Sequence, residues 1–312
     1  MENAKFVISL DFELHWGVFD ALGESYNQNI QGVQNALPEI LKLFKKYDIH
    51  ATWATVGMLF CKNRADYEKY KPKILPAYKD EVLNPYKMIN IGECEDEDKL
   101  HYGHSLIKQI IECPHQEISS HSYSHFNALA DGQNEEQFEN DIKSAIKIAK
   151  DKFNIEIKSY IFAKNEINID YLNILKKYGI KIYRSNPNHN LYNKGQKLNI
   201  LEKIIRVADS YINITGHYNS LLKKDKICSI QGDRFLRPYK NKLLSKLMIR
   251  RIKNEMLEAS QNGKVYHLWW HPHNFGINLE ENLSNLESLL VYYQELNIKY
   301  MYEDNQGIIN YY

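Results

Sequence analysis

Short apolar runs rich in β-branched residues alternate along the chain with longer segments whose apolar positions recur every three or four residues. The first kind predicts buried strands, the second amphipathic helices, and their alternation predicts parallel strands joined by helical crossovers. Lys5 to Leu10 reads as a strand, and the helix after it places Ile30, Val33, Leu37, Ile40, Leu41 and Phe44 on one stripe. Further strands are expected at Ala51 to Val56, Glu117 to Ser120, Tyr160 to Phe162, Ile180 to Tyr183 and Val265 to Trp270. Asn134 and Gln137 suit a capping box ahead of a helix that turns Phe138, Ile142, Ala145 and Ala149 inward. Asn168 and Gly179 bracket another helix, and Asn278 with Glu281 opens a last one carrying Leu283, Leu286 and Leu290. Residues from Glu303 onward are expected only to pack on the surface. Between Lys62 and Lys99 the pattern loosens into prolines, tyrosines and the acidic run Glu93 to Asp98, which reads as an insertion, at about 62–104, covering one face. With no repeat, Pro-rich linker or low-complexity tract, residues 1–312 are expected to form a single α/β domain.

Composition narrows the picture without choosing a chemistry. A hydrophobic fraction of 44% with 25% charged residues is ordinary for a globular chain. Forty Lys and Arg against 39 Asp and Glu leave a net charge of +1, so no global field attracts nucleic acid and any anionic substrate has to be held locally. No stretch reaches the ~18 apolar residues of a membrane span, and the start lacks the features of a signal peptide, so a cytoplasmic location is expected. Cys61, Cys94, Cys113 and Cys228 show no CxxC spacing and are expected to be reduced thiols. A zinc site from Cys94, His101, His104 and Cys113 would have spacings that match no finger pattern.

The candidate chemistry gathers after the strands. Asp11 and Glu13 follow the first, His121 and His125 the third, Lys164 and Asn165 the next, and His271 and His273 the last. Parallel strands point their carboxyl ends to one face, so one site is implied. His121 and His125 would face one metal if their segment turns helically, because positions i and i+4 share a face. Two imidazoles and a carboxylate leave coordination positions open, as a catalytic metal requires. Asp11 and Glu13 share a strand face and would repel, unless a cation neutralises one and leaves the other as a base. Either Trp269 or Trp270 is expected in the core, and His271, first beyond the apolar run, is placed as a proton donor.

These segments together resemble the polysaccharide deacetylase family, carbohydrate esterase family 4, whose shared part is the NodB homology domain. Leu10-Asp11-Phe12-Glu13 looks like its first motif, His121-Ser122-Tyr123-Ser124-His125 is similar to its His-Ser/Thr-x-x-Ser/His metal motif, and Leu268-Trp269-Trp270-His271 looks like its last. A branch found in bacterial surface-polysaccharide gene clusters is marked by Asp-Phe-Glu-Leu-x-Trp-Gly, Ala-Thr-Trp-Ala-Thr-Val-Gly and Trp-Trp-His-Pro-His-Asn-Phe-Gly, which begin here at Asp11, Ala51 and Trp269. The resemblance implies an irregular (β/α) barrel of about seven strands, NodB-like. It also implies a metal held by Glu13, His121 and His125, with Asp11 as base and His271 as acid. The commonest first motif ends in adjacent aspartates, whereas Phe12 separates the acids here, which leaves an exchange of the two acidic roles open. The third family motif, Arg-x-Pro-Tyr or Phe-Pro-Arg-Asn-Gln, reads Phe162-Ala163-Lys164-Asn165-Glu166, so Lys164 is expected to support Asp11 with a charge but not with arginine's planar fork.

The activity this resemblance implies is amide hydrolysis by water activated at one divalent ion, zinc by default, with cobalt, nickel or iron(II) fitting the same donors. Its expected substrate is a small or lipid-linked N-acyl amino sugar, nucleotide-linked if not lipid-linked. Trp16, Asn165, Arg184, Trp270 and His273 are expected to line it, and Arg184, Arg234 and Arg237 to meet a phosphate. Rival readings are cleavage of another C–N bond, as in imidase-like and allantoinase-like relatives, an inactive carbohydrate-binding relative, and a non-haem iron oxygenase using the same triad.

Overall fold

The computed structural model describes residues 4–192, 199–218 and 227–300, so the expectation for the chain from Glu303 onward lies outside the described residues. Its strands are β1 (Lys5–Phe12), β2 (Ala51–Thr55), β3 (Gln116–Ser120), β4 (Ser159–Tyr160), β5 (Ile182–Ser185), β6 (Cys228–Gln231), β7 (Arg234–Phe235) and β8 (Val265–Trp270). Its helices are α1 (Asn27–Lys46), α2 (Arg64–Tyr70), α3 (Pro85–Met88), α4 (His104–Glu112), α5 (Glu135–Phe153), α6 (Leu172–Lys177), α7 (Ile200–Ala208), α8 (Lys242–Gln261) and α9 (Leu279–Tyr300). The strands form one sheet in the order β6-β5-β4-β3-β2-β1-β8-β7, parallel at every pairing. The edge strands β6 and β7 are separated in sequence only by Gly232 and Asp233. The Gly232 N–H bonds Ser185 on β5, and that of Asp233 bonds His267 on β8. One nearly continuous extended stretch therefore touches both ends of the sheet and curls it into a barrel. The α/β barrel is as expected, with eight strands in place of about seven. The two unforeseen ones, Cys-Ser-Ile-Gln and Arg-Phe, are too short and too polar to show a strand period.

The period-2 alternation of β1 and β8 sorts the interior. Phe6, Ile8, Leu10 and Phe12 turn outward with Tyr266, Leu268 and Trp270 to join the large core beneath the helices. Val7 and Val265 turn inward with Ala54, Ile161, Ile182 and Ile230 as an apolar plug. Above the plug the inward positions become polar, with Ser9 and Asp11 on β1, Arg184 on β5 and His267 on β8, all buried. The expected stripe of α1 is buried from Ile30 to Phe44, and the capping box of Asn134 and Gln137 is present on α5.

Candidate active site

Glu13 directly follows β1 and opens a 3-10 turn, Leu14–Gly17, that starts with Leu14 at a φ of 48°. A Cβ on Gly17 would lie 2.0 Å from the Glu13 Cδ, so the glycine that ends Asp-Phe-Glu-Leu-x-Trp-Gly is needed to seat that carboxylate. The glycine that ends Trp-Trp-His-Pro-His-Asn-Phe-Gly also has no room for a side chain, since a Cβ on Gly276 would lie 1.9 Å from the Asn29 carbonyl of α1.

His121 and His125 do meet Glu13, but not on a helical turn. The segment after β3 is a loop with Ser122 at φ 63° and His125 at φ 56°. Such left-handed residues cost about 1–3 kcal/mol and persist only where their surroundings enforce them. Here the enforcer is buried Asp141 of α5, which accepts the Tyr123 N–H at 2.5 Å, the Ser124 N–H at 3.1 Å and the Ser124 hydroxyl at 2.5 Å. Burial pushes the Asp141 carboxyl up to about 6, against the pull of those bonds. Sequence reasoning missed Asp141, because an acid inside an amphipathic helix looks like any surface acid.

Glu13 Oε2 lies 3.3 Å from His121 Nε2 and 3.1 Å from His125 Nε2, and its Oε1 lies 3.5 Å from His271 Nε2. The Nδ1 of His121 bonds the Ile161 carbonyl at 2.8 Å, which fixes the tautomer and turns Nε2 into the site. That Nε2 is buried without a hydrogen-bond partner. Burial alone would raise the Glu13 carboxyl, but His271, His125 and His121 outweigh it and hold it well below its ordinary value. Burial lowers His125, favouring the neutral ring that a metal takes as ligand. An orphaned imidazole nitrogen, a second buried imidazole and an ionised carboxylate, all within 4.8 Å of one another, are a donor set that fits a divalent cation. Glu13, His271 and His273 form a second such group on the same carboxylate.

Asp11 is held by Arg184, not by Lys164. Arg184 Nη1 and Nη2 donate to its two oxygens at 2.8 and 2.6 Å, in the bidentate fork that lysine cannot make. Burial would raise the Asp11 carboxyl, and Arg184 with lesser help from His121 and His271 brings it below its ordinary value. Arg184 is itself fixed by Asn165 Oδ1 at 2.8 Å, by Ser9 Oγ at 2.9 Å and by the Trp269 ring 4.4 Å away. Ser9 in turn meets His267 Nε2 at 2.7 Å. Lys164 pairs with Asp20 instead. The charge expected from the third motif thus comes from β5, where one inward-facing arginine carries no sequence signature.

Several expected substrate contacts are corrected. Trp16 is buried and donates to the His101 carbonyl at 2.8 Å, tying the 62–104 segment to the first motif. Trp270 faces the outer core beside Phe44 and Phe275, whereas half-buried Trp269 lines a cavity. His273 is buried, with its ring stacked 4.8 Å from that of His271, and burial with its neighbour His271 pushes it down to about 3. Arg184 and Arg234 are spent on buried carboxylates and are not free for a phosphate. Of the weak zinc candidates, His101 bonds Asp98 and His15, and His104 bonds the Phe60 carbonyl. His271 is the half-buried member of the centre, 3.8 Å from Asp11 Oδ2, and it lines the same cavity as Trp269 and Asn165.

The sequence model of the polysaccharide deacetylase family matches residues 19–183, just over half of the chain. The chain belongs to the polysaccharide deacetylase family. Asp11, Glu13 and His271 lie outside the matched stretch, but the fold brings them to its histidines. Among solved structures, this family member is similar to a Mycobacterium smegmatis protein described as a polysaccharide deacetylase, at 11% identity and a TM-score of 0.55 over 98% of this chain and 87% of that one. A second, from Pseudomonas aeruginosa PAO1 and described likewise, is 12% identical with a TM-score of 0.55 over 97% and 86%. An allantoinase is 12% identical with a TM-score of 0.53 over 98% and 85%. At such identities the likeness is one of fold. A search of curated proteins finds no match. Among the described residues no helix is long and apolar enough to cross a membrane.

Proposed function

We propose that this polysaccharide deacetylase-family chain is a metal-dependent amide hydrolase that removes an N-acyl group, acetyl in the first instance, from an amino sugar. The observation that carries the reading is the division of labour between two carboxylates one residue apart. Glu13 faces two buried imidazoles, one with an orphaned nitrogen, while Asp11 is clamped by Arg184. A cation held by Glu13, His121 and His125 would supply Lewis-acid polarisation of the acyl carbonyl and acidify water beside it, with zinc the default for such donors. The Arg184 clamp keeps Asp11 ionised, so Asp11 accepts the proton of the attacking water as its oxygen bonds to the acyl carbon. His271, at the rim of the cavity, then gives a proton to the nitrogen as the C–N bond breaks, leaving a free amine and a carboxylate.

Metal analysis of the purified protein, with acetate and formate release from a panel of N-acyl amino sugars, tests this reading. His271→Ala should retain metal and lose roughly 10²- to 10⁴-fold in turnover, the usual contribution of a positioned proton donor. Release from allantoin or a cyclic imide, with none from any acyl sugar, would replace the reading with the other C–N chemistry.

A further inference from the structure

Beside the centre lies a cavity of about 250 Å³, and His271, Trp269 and Asn165 belong to its wall. Charges elsewhere on this wall are unequally compensated. Arg234 is taken up by Asp209 and Glu255, and burial holds the Asp233 carboxyl well above the usual range. Two further arginines of the wall, Arg206 on α7 and Arg237 after β7, pair with no carboxylate among the described residues. Arg237 is half-buried, its Nε donates to Ser210 Oγ at 2.7 Å, and Arg206 lies over the Tyr192 ring, 6.0 Å away. Burial depresses the Arg237 guanidinium, and the like charge of Arg206 adds to the depression. Two cations brought to one concave wall without a counter-charge cost free energy that a bound anion relieves, and a guanidinium fork matches the oxygens of a phosphate.

We propose that Arg206 and Arg237 form a phosphate subsite, so that the acyl amino sugar handled at the centre carries a phosphate or diphosphate ester. This deepens the hydrolase reading and rests on it for the sugar, while the anion site stands on its own residues. A nucleotide diphosphate sugar and a polyprenyl-phosphate sugar offer the same chemistry. The helix that carries Arg206 also exposes Ile200, Leu201 and Ile204, so both esters enter the test.

The first arm titrates inorganic pyrophosphate into protein stripped of metal by a chelator, so that the Glu13 group cannot hold the anion. Calorimetry should show saturable, salt-sensitive binding, weakened at least about tenfold in Arg237→Gln and in Arg206→Gln and partly kept in Arg237→Lys. Arg206→Gln, on the surface helix, keeps the comparison valid if Arg237→Gln fails to fold. Absence of saturable binding, or equal binding by wild type and both Gln variants, overturns the subsite. The second arm measures acyl release by metal-loaded protein from a uridine diphosphate N-acetylhexosamine, a polyprenyl-phosphate N-acetylhexosamine in micelles and a methyl N-acetylhexosaminide. One phosphorylated substrate should have a KM at least about tenfold below that of the methyl glycoside, with the gap closing in Arg237→Gln, and the preferred ester identifies the source. Release with no such gap overturns the subsite and leaves the hydrolase reading intact. Release from none, with pyrophosphate still bound, defeats the hydrolase reading and leaves the subsite standing.

Discussion

Two clusters of buried charge sit within one barrel and do opposite things. In the first, Arg234 and Arg251 meet Asp209 and Glu255, two cations against two anions. Arg234 donates to Asp209 at 2.9 Å and to Glu255 at 2.5 Å, Tyr266 donates to Glu255 at 2.9 Å, and the backbone of Ile214 and Thr215 completes Asp209 at 3.1 and 3.0 Å. Only Nη1 of Arg251 lacks a bond. In the second cluster, three imidazoles surround Glu13 at 3.1, 3.3 and 3.5 Å, against 2.9 and 2.5 Å for the ion pairs that Arg234 makes with Asp209 and Glu255. They also exceed the about 2.7–2.9 Å of a charge-assisted hydrogen bond. The first cluster is closed on itself and the second is spaced for something between its members. Burial of charge therefore does not mark the site, but incomplete satisfaction beside a cavity does.

The sharpest way to break this contrast is to cut each cluster once. Glu13→Gln or His121→Ala should abolish metal binding and take acyl release to background with the fold retained. Arg234→Met should leave two buried carboxylates to Arg251 alone and cost up to about 3–5 kcal/mol of stability, with metal retained by whatever remains folded. Elemental analysis and thermal melts of the same preparations check both. Were Arg234→Met to lose metal at unchanged stability, the two clusters would not be separable in this way.

Next in size is the clamp on the second carboxylate. Arg184→Lys keeps a charge but loses the fork, so burial regains its weight and the Asp11 carboxyl rises. Turnover should fall roughly 10- to 100-fold, because proton transfer through a positioned base contributes about 10²–10⁴ in all. The acid limb of the pH–rate profile should move to higher pH, and a limb that stays in place would remove Asp11 as the base.

The sequence made legible whatever depends on local pattern. The period of β1 put Asp11 and Glu13 on one face, the α1 stripe and the α5 capping box are where they were read, and the ends of the long strands gathered the histidines. It concealed whatever depends on partners far along the chain. Arg184 lies 173 residues from Asp11, and Asp141 holds the histidine loop from a helix. The helical turn expected at His121 to His125 failed because two left-handed residues, held by that acid, bring the rings together instead. Of the paired tryptophans, only the register of β8 tells that Trp269 reaches the cavity and Trp270 the core.

A smaller effect is expected from two buried histidines outside the Glu13, His121 and His125 triad. His267 is fully buried, and burial together with the nearby Arg184 pushes it down to about 3 from the ordinary 6.5. Between those values the unfolded chain binds a proton that the folded chain refuses, so stability falls as pH falls, by at most about 1.4 kcal/mol per pH unit. His273 adds in the same direction, also from about 3. Asp141, raised to about 6 from 3.8, and Asp233, held well above the usual range, oppose them at pH values below their own folded values, because each folded form binds the extra proton. The change in melting temperature from pH 7.5 to 5.5 is expected to be less negative in His267→Gln than in wild type, because the variant lacks the site for the proton that the folded chain refuses. An equal change in the two proteins would show that His267 does not contribute to the slope.

The smallest effect is expected at Lys164, and it separates the family pattern from this chain's own wiring. By pattern, Lys164 stands where arginine would support the base, so Lys164→Arg would retain or raise turnover and Lys164→Ala would lower it. In the fold, Lys164 has a left-handed φ of 54°, pairs with Asp20 and leaves Asp11 to Arg184, whose two Nη groups already occupy both carboxylate oxygens. A second guanidinium gains nothing by arriving there. Lys164→Ala should then change kcat/KM by less than about tenfold and leave the acid limb of the pH profile in place, while Lys164→Arg should give no gain. Both variants are to be measured beside Arg184→Lys on one substrate. An upward shift of the limb in Lys164→Ala as large as that in Arg184→Lys would return the supporting role to the lysine and leave Arg184 as scaffold.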